Sequence, residues 1–146
     1  MKLTHHPQRT ADPWTFDPTR AYPPEHPTMK PNGLWLSADG DWERWCRDED
    51  FGVDTFDQPG AEFTLVSPDK VLILASVGDI DRFHDDFIAQ FADQYRIDWA
   101  QLADKWSGIL IAPYQRTRRF GHTSWYYPWD CASACIWDLS VLAVGP

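Results

Sequence analysis

The last quarter of the chain concentrates side chains that could line a binding site. Residues 125–144 hold large aromatic rings, two carboxylic acids, Asp130 and Asp138, and two thiols, Cys131 and Cys135. A large aromatic side chain hides about 150–250 Å² of surface when it is buried, so these rings are costly to leave in water. We therefore expect this segment to form the centre of the hydrophobic core, the wall of a binding site, or both.

Two adjacent imidazoles, His5 and His6, follow a short stretch with strand-like residues near the start of the chain. Side chains at the end of a strand can reach into a cleft, where an imidazole changes its charge near neutral pH. On an edge strand at the surface the same imidazoles would simply be solvated. The sequence leaves both interpretations open.

The cysteines do not predict a disulfide framework or a metal site. The chain has three cysteines, Cys46, Cys131 and Cys135, which is an odd and small number. On a strand, Cys131 and Cys135 would share a face about 13 Å apart, which is too far to bridge. Neither of them has the spacing to His122 or to another ligand that zinc sites use. We expect small buried thiols and no bound metal.

Composition and charge limit the class of protein. A chain of 146 residues fits a single domain, which would bury about two thirds of the surface that its unfolded form exposes. The net charge of −9 disfavours a nonspecific grip on duplex nucleic acid, because that grip needs lysine and arginine to neutralise phosphates. No apolar run has the length of a membrane span, and no signal-peptide pattern opens the chain. We expect a cytoplasmic protein with no membrane partner.

A strand at residues 2–5 and a long loop are predicted for the N-terminal part. Residues 8–31 contain six prolines among Trp14, Phe16 and Tyr22 and show neither helical nor alternating periodicity. Proline fixes φ and removes a backbone donor, so we expect an extended loop that wraps around the body of the domain.

A turn, a strand and a helix follow that loop. The sequence Pro-Asn-Gly is typical of a turn, and residues 34–37 form a short apolar strand after it. In the helix predicted for residues 42–50, Trp42, Trp45 and Cys46 stand at positions i, i+3 and i+4 and therefore share one face.

The second half of the chain predicts two strands joined by a turn, two helices, a strand, a basic loop and a last strand. These elements fall at residues 61–65, 70–74, 77–95, 98–105, 106–113, 114–122 and 134–142. The strand at 70–74 is apolar throughout, which is typical of a central strand. The order predicts an α+β fold, because it has too few strand–helix–strand units for a doubly wound sheet.

Three short motifs lie at the start, in the first third and at the end of the chain. They are a strand ending in histidine, Leu3-Thr-His5; a strand Gly33-Leu-Trp-Leu-Ser37 followed by the aromatic helix; and a last strand Cys135-Ile-Trp-Asp-Leu-Ser-Val-Leu142. Together they resemble the ADP-ribosyltransferase fold of bacterial toxins, poly-ADP-ribose polymerases and tRNA 2′-phosphotransferases. The resemblance implies a small split β-sheet domain with flanking helices, here with a long proline-rich N-terminal loop.

The resemblance also implies that NAD is the substrate. The first and the last strand would lie side by side, and NAD would bind between them. In that family the first motif holds the NAD ribose and amide, and a catalytic acid precedes the last strand. Many members carry a glutamate at the start of that strand, where this chain has Ala132 or Ser133. The nearest acid is Asp130. The implied catalytic set is therefore Asp130, His5 and Ser133.

The chemistry of NAD cleavage assigns roles to these groups. Breaking the bond between nicotinamide and ribose passes through an oxocarbenium-like state, which a carboxylate beside the ribose stabilises. An imidazole would donate to a ribose hydroxyl, aromatic rings would stack on the cationic nicotinamide, and arginine would pair with the pyrophosphate. The implied NAD-binding set is His6, Gly33, Trp35, Ser37, Trp42, Arg118, Arg119 and Tyr126.

Each of these residues also has a structural role open to it. Asp130 could be a turn residue that accepts backbone N–H groups. Trp35 and Trp42 could belong to the core, and Ser37 could cap the following helix. The arginines of residues 116–119 could form a solvated loop face.

Two other functions remain open. A chain with many aromatic residues in proline-rich loops suits a protein-interaction module without catalytic activity, because Trp, Tyr and Arg dominate interface hot spots. The basic loop next to aromatic residues also suits an enzyme directed at nucleic acid, with bases stacked on rings. For an ADP-ribosyltransferase, the sequence does not identify the acceptor, whether protein or nucleic acid.

Overall fold

The structure, a computed structural model, describes residues 1–8, 12–91, 93–121 and 123–145. Strands and helices are mixed along the chain, so the architecture is α+β, as the sequence predicts. His122, considered above as a metal ligand, lies outside the described residues. In the described part, no helix combines the length and the apolar character that crossing a membrane requires.

Seven strands form one sheet, and a separate hairpin lies outside it. In chain order the strands are Leu3–His5 (β1), Leu34–Ala38 (β2), Ala61–Leu65 (β3), Val71–Leu74 (β4), Ile88–Phe91 (β5), Gln94–Ile97 (β6), Gly108–Ile111 (β7), Ser133–Ile136 (β8) and Leu142–Val144 (β9). The sheet has the order β4-β7-β8-β2-β1-β3-β9, with β5 and β6 forming the hairpin. Only β4 and β7 pair in parallel; the other described pairs are antiparallel. The α-helices are Asp41–Asp48 (α1), Val77–Phe87 (α2) and Trp99–Ala103 (α3).

The core consists of two clusters, one on each face of the sheet. Successive side chains of a strand point to opposite faces, and in β7 Leu110 belongs to one cluster whereas Ile109 and Ile111 belong to the other. The proline-rich loop covers the first face with Trp14, Phe16 and Tyr22. The second face is covered by α2, α3 and the rings of Trp125, Tyr126 and Trp129. The predicted wrapping loop is thus confirmed over its described residues.

Helix α2 is shorter than its periodicity predicts. Its apolar spacing continues to about Tyr95, but the helix ends at Phe87 and the chain turns into the β5–β6 hairpin. The residues after Phe87 include Ile88, Tyr95 and Ile97, which are β-branched or aromatic and favour strands. Ile97 is fully buried and its backbone also pairs with Thr28. Contacts distant in sequence therefore select the hairpin over a longer helix.

Strands β3 and β4, which the sequence predicts as two strands joined by a turn, do not pair with each other. β3 pairs with β1 and β9, whereas β4 pairs with β7 at the opposite edge of the sheet. The expectation of a central β4 is also wrong. Val71 packs into one core cluster and Leu74 into the other, so this edge strand is apolar because both of its faces are partly covered.

The predicted last strand at residues 134–142 is broken into β8 and β9. After β8, the N–H groups of Trp137 and Asp138 both donate to the carbonyl of Ser107. The Asp138 carboxylate then accepts the N–H of Ser140 and starts a short 3₁₀ helix, Leu139–Val141. The chain thereby leaves β7 and β8 and reaches β3. The first and last strands are consequently not neighbours, because β3 lies between β1 and β9.

Candidate functional site

A cavity of about 310 Å³ opens beside α1. Its wall combines α1, the 3₁₀ helix Val53–Asp57 that follows, residues 128–133 before and at the start of β8, and single residues next to β1 and β2. Of the predicted site residues, it is lined by His6, Trp35, Trp42, Asp130 and Ser133. We call it the Trp-lined cavity, because Trp45 and Trp129 also contribute to its wall.

Two hydrogen bonds connect helix α1 to the residues at the start of β8. The Asp41 carboxylate accepts the N–H of Ala132 at 2.7 Å, and the indole N–H of Trp42 donates to the Ser133 hydroxyl at 2.7 Å. At its own start, α1 is held by the Ser37 hydroxyl, which accepts the N–H of Trp42 at 3.1 Å. These bonds fix the wall of the cavity against the sheet. Ser37 is not the N-cap residue that the sequence suggests, because that position is held by Gly40, but its hydroxyl still accepts an N–H group of the first turn.

The tryptophan face of α1 faces the cavity. No residue of α1 is buried, and Trp42, Trp45 and Cys46 are all of intermediate exposure. Large apolar rings that are neither buried nor fully exposed leave hydrophobic surface available to a ligand. The sequence left two interpretations open for Trp42, a place in the core and a place in a binding site. In the structure, Trp42 lies in the cavity wall.

Trp35 and Trp129 form the next part of the wall. Their rings meet edge to face with centroids 4.9 Å apart, and Trp129 is almost fully buried. The ammonium of Lys30 lies 4.5 Å from the centre of the Trp35 ring, which is the geometry of a cation–π contact. The indole Nε1 of Trp129 is buried without a hydrogen-bond partner among the described residues.

Asp130 contributes a carboxylate to the cavity. Its Oδ1 lies 2.8 Å from the guanidinium of Arg119, and both side chains are partly exposed, Asp130 by 36% and Arg119 by 26%. Arg119 also lies over the ring of Tyr127, 5.4 Å from its centroid. The carboxylate of Asp130 is thus paired with a cation. Arg119 does not itself line the cavity, and this ion pair connects it to the cavity wall.

The hydroxyl of Ser133 is already engaged on both sides. It accepts the indole N–H of Trp42 and donates to the carbonyl of Cys131 at 3.0 Å. A hydroxyl whose proton is committed to a backbone carbonyl is a poor nucleophile without an adjacent base. Ser133 therefore positions Trp42 and the segment before β8.

The histidine that lines the cavity is His6 and not His5. The His6 ring packs edge to face on Phe56 at 4.7 Å, and burial lowers its pKa, an effect that Glu43 partly opposes. Its Nδ1 is buried with no partner in the described part of the chain. By contrast, the Nδ1 of His5 is 2.9 Å from the carbonyl of Trp35, and its ring lies on Trp14 at 4.6 Å. The structure therefore keeps His5 out of the cavity.

Two thiols line the cavity but are held in the protonated form. Burial raises the pKa of Cys131 to about 12, with Asp41 and Asp130 adding to the effect. Burial and Asp130 also raise the pKa of Cys46. Because the thiolate is the nucleophile and the metal ligand, neither residue is prepared for either role at neutral pH. Among the described residues, no group of three or more His, Cys, Asp or Glu could hold a metal ion.

Gly33 and Tyr126, both in the predicted NAD-binding set, serve packing. A Cβ on Gly33 would come within 2.6 Å of the Cys135 sulfur and 2.8 Å of the Ile136 carbonyl, so β8 leaves room for hydrogen only. Tyr126 is fully buried, and its hydroxyl accepts the N–H of Gln115 at 2.9 Å. Neither residue lines the cavity.

Arg118 is also kept away from the cavity. Its guanidinium makes two bonds to the carboxylate of Asp81, at 2.7 and 2.9 Å, which ties the basic loop to α2. This fork-on-carboxylate geometry satisfies the guanidinium. The structure does not bring Arg118 to the site where a pyrophosphate was expected.

Several residues of the cavity wall were not predicted from the sequence as site residues. They include Lys30, Cys46, Phe51, Thr55, Phe56 and Trp129. The signal that could have found some of them is the pair of phenylalanines, Phe51 and Phe56, within the acidic residues 48–57. Apolar rings in a segment too polar for a core strand indicate a role at a surface site.

Comparison of this chain with protein-family models, with curated proteins and with solved structures finds no match.

Proposed function

We propose that this chain is an ADP-ribosyltransferase-like protein that binds NAD in the Trp-lined cavity and transfers or hydrolyses ADP-ribose. The observation that carries the proposal is the placement of the three motifs. Strands β8, β2 and β1 are consecutive in the sheet. Trp35 of the second motif lines the cavity together with His6, which directly follows the first motif, and Ser133, which lies two residues before the third. Residues more than a hundred positions apart in the chain, His6 and Ser133, thereby border one space.

The groups around the cavity suit the cleavage of an N-glycosidic bond. The carboxylate of Asp130 would stand beside the ribose and stabilise the positive charge of the oxocarbenium-like state. It takes the place of the family's glutamate from a position three residues before Ser133. His6 replaces His5 as the imidazole that reaches a ribose hydroxyl. Since burial lowers the pKa of His6, it would act as a neutral ring at pH 7.

The dimensions favour the nicotinamide end of NAD. A cavity of about 310 Å³ is at the lower end of the range of ligand pockets. It would enclose the nicotinamide ring and its ribose between aromatic walls such as Trp42 and Phe56. The adenosine half of NAD would then extend outside the cavity.

Two measurements test this function. In the first, the thermal unfolding of the protein is followed with millimolar NAD; a ligand at a hundred times its dissociation constant adds about 2.7 kcal/mol, which for this chain length raises the melting temperature by about 5–10 °C. In the second, nicotinamide release from labelled NAD is measured with and without a cell lysate as the source of acceptors. A folded protein that shows neither stabilisation nor release contradicts the proposal.

A second candidate function is a protein-interaction module, and one surface patch favours it. Phe120 is 72% exposed and Tyr127 is 52% exposed, and their ring centroids are 5.7 Å apart. Arg119 lies over both rings, at 6.0 and 5.4 Å. Aromatic residues beside arginine are typical of interface hot spots. Residues 125–129 do not form a wider open patch, because Trp125 and Trp129 are buried.

The third candidate, an enzyme directed at nucleic acid, has less support. Of the arginines in the basic loop, Arg118 pairs with Asp81 and Arg119 pairs with Asp130. Paired arginines contribute little to the neutralisation of phosphates on which such binding depends. Binding of labelled single-stranded DNA or RNA that weakens steeply with added salt would favour this candidate.

A further inference from the structure

Lys30 is the only lysine or arginine that lines the Trp-lined cavity among residues 1–8, 12–91, 93–121 and 123–145. It is an exposed residue, so its ammonium is at the rim. Within the described part of the chain, no carboxylate forms an ion pair with it. In a chain with a net charge of −9, Lys30 thus places a positive charge at the mouth of the cavity.

The backbone around Lys30 is fixed on both sides. Its carbonyl accepts the hydroxyl of Thr28 at 2.6 Å, and Thr28 in turn pairs with Ile97 of the hairpin. On the other side, the carbonyl of Pro31 accepts the thiol of Cys135 in β8 at 3.7 Å. The backbone position of Lys30 is therefore fixed by the fold. Its side chain is held by the contact with Trp35.

The contact with Trp35 limits where a cationic ring can bind. The nicotinamide of NAD carries a positive charge, and the Trp35 ring already has the ammonium of Lys30 above it. Two cations on one aromatic face repel each other, so nicotinamide would stack on Trp42, which is half-buried on the α1 side of the cavity. Trp35 then serves to hold Lys30 in place.

We propose that Lys30 binds the phosphate attached to the nicotinamide ribose, so that the cavity selects a nicotinamide nucleotide over the nucleoside. This inference rests on the proposed function and names its ligand more narrowly. Lysine is a point charge well suited to phosphate oxygens. The negative charge of Asp130 is matched by Arg119 at 2.8 Å, so the charge of Lys30 is not cancelled inside the cavity.

The test is isothermal titration calorimetry with two ligands that differ only in this group, nicotinamide mononucleotide and nicotinamide riboside. Each is titrated at low ionic strength into the unaltered protein, Lys30→Met and Lys105→Met. The matched control is Lys105, whose ammonium also lies over a tryptophan, 5.4 Å from the Trp106 ring, but which does not line the cavity. Circular dichroism melts establish that each variant is folded.

The expected result is that the mononucleotide binds about 10- to 100-fold more tightly than the riboside, which is the usual range for a hydrogen bond to a charged group. Lys30→Met should remove this preference, and Lys105→Met should keep it. Equal binding of the two ligands to the unaltered protein, or an unchanged preference in Lys30→Met, overturns the role of Lys30 and leaves NAD binding standing. If neither ligand nor NAD binds the folded protein, the proposed function itself fails.

Discussion

The indole N–H of Trp42 donates a 2.7 Å hydrogen bond to the hydroxyl of Ser133, 91 residues away in the chain. This bond joins α1 to the start of β8 across the edge of the cavity. We expect it to contribute about 1 kcal/mol to the free energy of unfolding, the usual net value for a hydrogen bond. Ser133→Ala alone should cost more, about 1–3 kcal/mol, because it leaves the part-buried indole N–H unsatisfied.

A double-mutant cycle in urea measures this coupling. The single variants Trp42→Phe and Ser133→Ala are compared with the double variant, and a coupling of about 0.5–1.5 kcal/mol is expected. Strictly additive effects would mean that the two side chains do not interact in solution.

Replacement of Asp130 tests the chemistry separately from the fold. In Asp130→Asn, nicotinamide release from NAD should fall by about 100-fold or more, because the charge that stabilises the cationic transition state is lost. Stability should change by about 1 kcal/mol or less, since the ion pair with Arg119 is partly exposed. The matched control is Asp81→Asn, which loses the ion pair with Arg118 outside the cavity. Asp130→Asn with full turnover would remove Asp130 from the mechanism.

Local patterns were enough to predict the elements whose residues interact with near neighbours. Helix α1 was predicted from the i, i+3, i+4 spacing of Trp42, Trp45 and Cys46, and it lies at Asp41–Asp48. The same kind of pattern predicts too long a helix at α2, because the residues after Phe87 have helical spacing and also the side chains that favour strands. Their structure depends on a backbone pairing with Thr28 that no local pattern contains.

The candidate site was predicted in part, for a similar reason. Trp35, Trp42 and Asp130 were found because motifs of the resemblance mark their positions. Lys30 belongs to no motif, and the contacts that hold the end of the proline-rich loop beside β8 and the hairpin join residues distant in sequence. His5, at the end of β1, and His6, directly after it, could not be told apart from the sequence, because long-range contacts decide which ring reaches the cavity.

Gly33 offers a test of the packing interpretation against the binding one. Gly33→Ala should lower the free energy of unfolding by about 1–3 kcal/mol, the typical cost of overpacking, because its Cβ would meet the Cys135 sulfur at 2.6 Å. The control is Gly78→Ala in α2, where the nearest atom is the flexible end of Arg82 at 3.4 Å. There alanine should stabilise by about 0.5–1 kcal/mol. A Gly33→Ala protein of normal stability that no longer binds NAD would restore Gly33 to the site.

The histidines next to β1 should make stability depend on pH. Burial lowers the pKa of both His5 and His6, so the folded protein binds fewer protons than the unfolded chain below the ordinary histidine pKa of about 6.5. Stability is therefore complete above that pH and is lost as the pH falls from about 7 towards 5. The nearby charges of Glu43, which favours protonation of His6, and of Lys2, which opposes it, modulate the effect.

Urea unfolding at a series of pH values checks this dependence with three variants. In His5→Gln and in His6→Gln, the loss of stability between about pH 7 and pH 5 should be smaller than in the unaltered protein, because one depressed group no longer titrates. His26→Gln is the control for the replacement of a histidine as such, since His26 is exposed and lies outside β1 and the cavity. If the slope is the same in all four proteins, neither imidazole is partly buried in solution as it is in the structure, and His6 loses its place in the cavity wall.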